Sequence, residues 1–241
     1  MNKNFEQSKT AENLARAFAG ECQDGARYQY VADLAEQQKM SYIATILKQV
    51  ATNEMAHAKV FMDILTKNAN GVIESFKITA DYPLQTGNLE QSLKYDEENE
   101  RKQSVEVYPE FARIAKAEGY EDAYDAFIRV AQVEACHTNI LHQLHEGVKN
   151  KTLYKKSTKL KWKCSNCGHE AELTEAWKTC PLCGSPQGKV VITIEQGPKG
   201  TVLPPAKSFD ALKRSEKAKN KKDANTVGKK PAVKKPVTKK K

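Results

Sequence analysis

Residues 43–64 read IATILKQVATNEMAHAKVFMDI. Within them Ile43, Leu47, Val50, Glu54, His57, Phe61 and Ile64 recur at steps of four and three, the spacing of one face of an α-helix. The face is apolar at both ends and polar in the middle. The segment therefore predicts a helix from about Ser41 to Asn68 that packs into a core while placing a carboxylate and an imidazole where core residues belong. The same pattern returns between Glu121 and about Glu146 in Phe127, Val130, Glu134, His137, Leu141 and Leu144. A helix from about Thr10 to Gln38 presents Leu14, Phe18, Glu21, Tyr28 and Ala32. Another, from about Leu89 to Glu118, presents Leu93, Asp96, Glu100, Gln103, Val107, Phe111 and Ile114. Each of these also carries an inward carboxylate near its middle.

Four such helices predict a four-helix bundle. The stretch Asn70 to Gly87, with Gly71, Pro83 and Gly87, is a long irregular connection between the second and third helices. A crossover of that length lets the third helix run parallel to the second, so the expected class is all-α and ferritin-like rather than up-down. Pro109 removes a backbone donor inside the third helix and is expected to kink it near Tyr108.

An ionised carboxylate buried without a partner costs at least several kcal/mol, on the order of a third of a domain's net stability. Lys and Arg are scarce on the inner stripes, and two histidines are too few to pair four glutamates. Two divalent metal ions balance Glu21, Glu54, Glu100 and Glu134, with His57 and His137 each giving one nitrogen. One Glu from each of two helices and Glu-x-x-His from each of the other two is the ligand pattern of di-iron and di-manganese bundles. Ligand type favours iron or manganese and leaves zinc open. His142, His145 and His169 read as surface residues, and Cys22 and Cys136 as small buried thiols.

From about Asn150 the helical period stops. Cys164-Ser-Asn-Cys167-Gly and Cys180-Pro-Leu-Cys183-Gly are two knuckles separated by 12 residues. This spacing predicts a tetrahedral four-cysteine metal site, for zinc or a single iron, rather than disulfides. Lys161 to Lys163 and Val190 to Ile194 read as short strands. Three regions follow: a bundle at 1–148, a four-cysteine domain at 149–197 and a Lys-rich tail at 198–241. The chain's net charge of +9 belongs to that tail. Residues 213–241 hold 13 basic and two acidic side chains, which leaves the rest at 26 against 28, a net of −2. The tail is expected to be disordered, with binding to an anionic polymer such as nucleic acid as its alternative role. No apolar run approaches the ~20 residues of a membrane span, and no signal peptide is evident, so a cytoplasmic setting is expected.

The segments FAGE (18–21), NEMAH (53–57), YPEFA (108–112), VEACH (133–137), WKCSNCG (162–168) and CPLCG (180–184), in this order, resemble the rubrerythrin family over about residues 8–195. The resemblance implies a di-iron ferritin-like domain followed by a rubredoxin-like domain with one iron on Cys164, Cys167, Cys180 and Cys183. It also implies a peroxidase that reduces hydrogen peroxide to water. By position the di-iron ligands fall on Glu21, Glu54, His57, Glu100, Glu134 and His137. Electrons are expected from an external reductase using a nicotinamide cofactor, since the chain has no glycine-rich nucleotide motif. Tyr28 and Tyr108 lie on the metal side of their helices and are candidates to bond the centre or supply protons, with core packing as the plain alternative.

The chain departs from the family at one place. Where rubrerythrins carry a second Glu, tied to an iron that shifts toward the histidine at 57 as the oxidation state changes, this chain has Gln103. Four carboxylates and two imidazoles still suffice to bind metal, and Glu97 and Glu106 are the carboxylates a shifted helix register would bring in. A head-to-tail homodimer is expected, because the fourth helix runs well beyond His137. Two rival readings remain at this level: an iron oxidase or store, and a zinc-bearing four-cysteine interaction module with a basic tail.

Overall fold

The computed structural model describes residues 5–198. The expectations made for the Lys-rich tail lie outside the described residues. The described residues form five α-helices and two strands, α1 (Lys9–Gln37), α2 (Ser41–Asn68), α3 (Leu89–Lys102), α4 (Tyr108–Glu118), α5 (Glu121–Lys149), β1 (Lys155–Lys163) and β2 (Glu170–Glu175), with two short 3-10 turns, one π-turn and an irregular connection at 69–88. Ser8 caps α1 by accepting from the Ala11 N–H at 3.0 Å. Asn88 and Gln91 form a reciprocal capping box that starts α3.

The directions of the helices follow from which residues meet. Glu36 lies near Lys48 and Glu21 near His57, so α1 and α2 are antiparallel. Tyr28 meets Glu100 and Glu21 meets Tyr108, so α1 is also antiparallel to the α3–α4 rod. The α3–α4 rod therefore runs parallel to α2, as the crossover at 69–88 requires. This is the ferritin-like arrangement. No helix among the described residues is long and apolar enough to cross a membrane.

The third helical segment is one rod with a defect. Residues Gln103–Val107 form a π-turn in which the Tyr108 N–H donates to the Gln103 carbonyl. Pro109 explains its place: a proline ring clashes with the carbonyl four residues back, and a widened turn relieves that clash. The extra residue moves the inner face by one. Ser104, Tyr108, Ala112 and Ala115 are buried, whereas Gln103, Val107, Phe111 and Ile114, the expected stripe, are only half-buried.

Two apolar clusters fill the bundle. One gathers Tyr28, Ile43, Leu47, Leu93, Leu141 and Leu144. The other gathers Leu14, Phe61, Tyr108, Ala112 and Phe127. On every helix the inward carboxylates fall between the stretches that feed these clusters, so the polar layer is closed off from both ends.

The Cys-rich module is built on the antiparallel pair β1–β2. Its own small core is Trp162, Ala176 and Val190. The expected strand at 190–194 is not formed. Val190 makes one isolated bridge to Cys164, and the chain then leaves for the bundle. There Ile192 joins the apolar cluster, and Asn139 and Gln143 donate to the Glu195 carbonyl at 3.0 Å each. Gly188 seats against the α1–α2 turn so closely that a Cβ would lie 1.7 Å from the Lys39 carbonyl oxygen.

Candidate metal centres

Glu54 and His57 sit one turn apart on α2, and Glu134 and His137 one turn apart on α5, so each pair points the same way. Glu21 comes from α1 and Glu100 from α3. All six meet in two overlapping groups, Glu21–Glu54–His57–Glu134 and Glu54–Glu100–Glu134–His137, whose ligand atoms lie within 4.8 Å of one another. Glu54 and Glu134 belong to both. Glu54 Oε2 lies 3.0 Å from His57 Nδ1, and its Oε1 lies 2.9 Å from His137 Nδ1. Glu134 repeats this with Oε1 at 3.1 Å from His57 Nδ1 and Oε2 at 2.8 Å from His137 Nδ1. Each carboxylate thus spans the gap between two imidazoles with one oxygen on either side, the geometry of a bridging ligand.

The charges in this layer are strongly displaced. Burial pushes Glu21 and Glu100 well above the usual carboxylate range, and the nearby Glu134 charge pushes them further. Burial alone would lower His57, but Glu134, Glu21 and Glu54 together hold it up to about 12. His137 is likewise pressed down by burial and held up to about 9 by Glu134 and Glu54. Glu134, which burial would raise, is pulled down to about 2 by His137 and His57. The metal-free layer is therefore neutralised by protons on acids and imidazoles.

Metal ions fit in their place. Glu100 Oε2 is buried without a hydrogen-bond partner among the described residues, and Glu54 Oε1 and Glu134 Oε1 face an imidazole Nδ1 that each shares with another carboxylate oxygen. More carboxylate oxygens converge here than the two imidazoles have protons to give, and a pair of cations satisfies that surplus directly. Tyr28 donates its hydroxyl to Glu100, and Tyr108 donates to Glu21. Both rings are buried and both touch a ligand candidate, so they do more than pack.

His137 is also held from behind. The Asn53 amide lies 3.2 Å from His137 Nε2, and Gln49 Nε2 donates to Asn53 Oδ1 at 3.2 Å. A ring that gives Nδ1 to a cation carries its proton on Nε2, so with metal bound the amide must turn its oxygen there. Asn53→Ala is expected to weaken metal binding at the His137 position about 10- to 100-fold, and at the His57 position far less. A competition titration with a chromogenic chelator measures this, and equal affinities in variant and parent would refute it.

Other expected residues lie elsewhere. Gln103 turns its amide to Asp24 at 2.7 Å, away from the six. Neither proposed substitute joins them: Glu106 is exposed, and Glu97 binds His142 at 2.8 Å and His145 at 3.0 Å. His145 is thereby a buried residue rather than a surface one, because Glu97 satisfies it. Cys22 and Cys136 are half-buried and belong to neither group. Asp24 and Asn53 were missed by the sequence reading; the signals present were the one-turn spacing of Asp24 from Glu21 and the placement of Asn53 beside Glu54.

The four cysteines form a third group. Cys164 and Cys183 Sγ lie 3.8 Å apart, and Cys167 and Cys180 Sγ 3.7 Å apart. Disulfide sulfurs sit about 2.05 Å apart, so these are not disulfides. A tetrahedron with metal–sulfur bonds of about 2.3 Å has edges of about 3.8 Å, which matches. Gly168 and Gly184 adopt φ of 77° and 72°, and their N–H groups each donate to a cysteine carbonyl at 2.9 Å. Only glycine takes that conformation without strain, so the two knuckles have the same turn. In the metal-free cluster the thiols share their protons unequally: Ser185 draws Cys183 down to about 5, while against the His169 backbone hydrogen bond, burial and the neighbouring thiols push Cys167 up to about 12.

Residues 12–160 match the family model for rubrerythrin, and residues 162–189 the model for the rubrerythrin rubredoxin-like domain. The chain belongs to the rubrerythrin family. It is 37% identical over 187 residues to rubrerythrin of Clostridium perfringens, covering 77% of this chain and 94% of that one. It is 33% identical over 188 residues to rubrerythrin of Porphyromonas gingivalis, covering 78% and 91%. The solved structure described as the fully reduced, all-ferrous state of nigerythrin shares the fold, with a TM-score of 0.52, 24% identity and coverage of 79% of this chain and 94% of that one. The carboxylate–imidazole groups fit the di-iron site of the rubrerythrin family, and the cysteine group fits its rubredoxin-like iron site. Membership carries an oxidoreductase role in general and a link to oxidative stress.

Proposed function

We propose that this chain is a non-haem di-iron peroxidase that reduces hydrogen peroxide to water, with electrons relayed through its four-cysteine iron site. The observation that carries the reading is the bridging geometry of Glu54 and Glu134 in a bundle that also seats a one-electron thiolate site on the same chain. When bound, a reduced iron pair supplies the two electrons that breaking an O–O bond requires. Glu54 and Glu134 would hold both ions, Glu21 and His57 one of them, and Glu100 and His137 the other. Tyr108 and Tyr28 orient Glu21 and Glu100 and keep hydroxyl protons at the edge of the site. The apolar clusters on either side exclude bulk water.

The donor is an external protein that uses a nicotinamide cofactor, and the setting is cytoplasmic. The functional unit is a head-to-tail dimer. From His137 to the end of α5 at Lys149 the helix climbs about 18 Å before the cysteine module begins, and that module seats Gly188 against the α1–α2 turn. A partner's cysteine site in an antiparallel pair would lie closer to the di-iron site than the chain's own. Light scattering on the iron-loaded protein is expected to give twice the chain mass, and a fully active monomer would exclude the dimer.

The central test loads the purified chain with iron anaerobically and follows its visible spectrum during additions of peroxide. Reduced protein is expected to reoxidise with peroxide much faster than it consumes dioxygen with excess ferrous iron. The reverse order would favour an iron oxidase, and a colourless cysteine site would favour zinc.

A further inference from the structure

A second buried charge cluster lies beside the six residues. Asp24 is one turn along α1 from Glu21, is 2% exposed, and belongs to neither metal group. Arg27 Nη1 lies 3.2 Å from its Oδ1, Gln103 donates to its Oδ2 at 2.7 Å, and the Asn99 amide lies 3.3 Å from both oxygens. The same guanidinium reaches Asp96 at 2.7 Å. Asp96 is 3% exposed, and its Oδ2 has no hydrogen-bond partner among the described residues. Two buried carboxylates thus share one cation. Glu54 from α2 and Glu134 from α5 add negative charge from the other side. A buried carboxylate without its own counter-charge takes up a proton rather than stay ionised.

Asp24 is also close to open space. It lines a cavity of about 740 Å³ between α1, the α3–α4 rod and the strap at 79–85, together with Gln103, Tyr108, Asp81 and, at the rim, Arg16 and Lys102. Tyr108 on that wall donates to Glu21. One cavity wall therefore touches both the Asp24 cluster and the hydroxyl that reaches the metal layer.

We propose that Asp24 holds a proton for the di-iron site, taking it from water in the cavity and releasing it toward the Tyr108–Glu21 edge as peroxide is reduced. This rests on the peroxidase reading. Each peroxide takes up two electrons from the iron sites and two protons, its O–O bond breaks, and two waters form. Asp24 gives one of the two protons and regains it from solvent. In the metal-free chain burial raises Asp24 to about 7 against the pull of Arg27, so the cluster holds this proton before any metal is bound.

Two variants of the iron-loaded full chain test this. In Asp24→Asn, peroxide turnover at pH 6.5 is expected to fall roughly 10- to 100-fold, the scale of a lost proton donor, and the decline of turnover with rising pH that the parent shows should vanish. Iron content and visible bands should stay unchanged. In Asp96→Asn, Arg27 is freed for Asp24 alone, so the same decline should move to lower pH with the maximal rate kept. Infrared difference spectra of metal-free parent minus Asp24→Asn protein should show one protonated-carboxyl band at pH 6 that fades by pH 8. An unchanged pH profile in Asp24→Asn, or no such band, overturns the proposal. So does loss of an iron, which would place Asp24 among the ligands. If the parent chain reduces no peroxide, the peroxidase reading fails, while the infrared band still decides whether Asp24 holds a proton.

Discussion

Glu134→Gln is expected to lose both metal ions and to weaken the metal-free fold by about 3 to 5 kcal/mol. Glu100→Gln is expected to lose one ion and leave the metal-free fold close to its original stability. The contrast follows from what each carboxylate touches. Glu134 faces both imidazoles and is in both metal groups, so no other side chain replaces it. In the metal-free chain it is ionised, held down to about 2, and it is a main partner of two imidazolium charges. Its removal leaves those charges buried and underpaired, which is the costly way to break an ion pair. Glu100 belongs to one group only, and burial already keeps it protonated. A neutral amide in its place can still accept from Tyr28 and costs little. Elemental analysis after iron loading, with urea unfolding of the chelator-treated proteins, reads both effects. Retention of two ions by Glu134→Gln would dismantle the bridging assignment.

The parts of this molecule that were legible in its sequence are those set by periodicity. The α2 boundaries Ser41 and Asn68 coincide with the expected ones, because an unbroken stripe of steps three and four has no other solution. The six inward residues were legible for the same reason: polar groups in phase with an apolar face must share a compensating partner. What failed was local backbone geometry. Pro109 announced a defect, but a kink and a π-turn begin from the same residue, and only the latter shifts the face from Val107, Phe111 and Ile114 to Tyr108, Ala112 and Ala115. Gln103, the first residue of that turn, bonds Asp24 and is not in the metal layer. Strand β2, with the sequence EAELTE and mostly exposed, has too few apolar residues to alternate, so its existence depends on the hairpin and the knuckles rather than on burial. Asp24 escaped notice because its partners, Arg27 on α1 and Asn99 and Gln103 on the third helical segment, come from two parts of the chain, and Glu97, read as a substitute ligand, is instead taken by His142 and His145 of α5.

The metal-free chain is expected to lose stability steadily between pH 6 and pH 9, and the metal-loaded chain to lose much less over the same range. His57 and His137, held up to about 12 and about 9, keep their protons in the fold, whereas the unfolded chain releases them near pH 6.5. Stability from a raised group is complete below its unfolded pKa and is lost as pH climbs through its folded one. Glu21 and Glu100, also raised, act in the same direction from the unfolded carboxylate value of about 4.3 upward. Glu134 is the exception; its contribution is present above about 4.3 and lost toward about 2, outside this window. Each proton bound by the fold but not by the unfolded chain removes about 1.4 kcal/mol per pH unit, so two histidines alone lower stability by several kcal/mol from pH 7 to 9. Metal ions reverse the trend, because they displace those protons and bind about tenfold tighter per pH unit for each proton released. Thermal unfolding of chelator-treated and manganese-loaded protein across this range measures both arms. A metal-free melting temperature that stays level from pH 6 to 9 would mean that protons do not stand in for the ions, and the electrostatic account of the buried layer would fail with it.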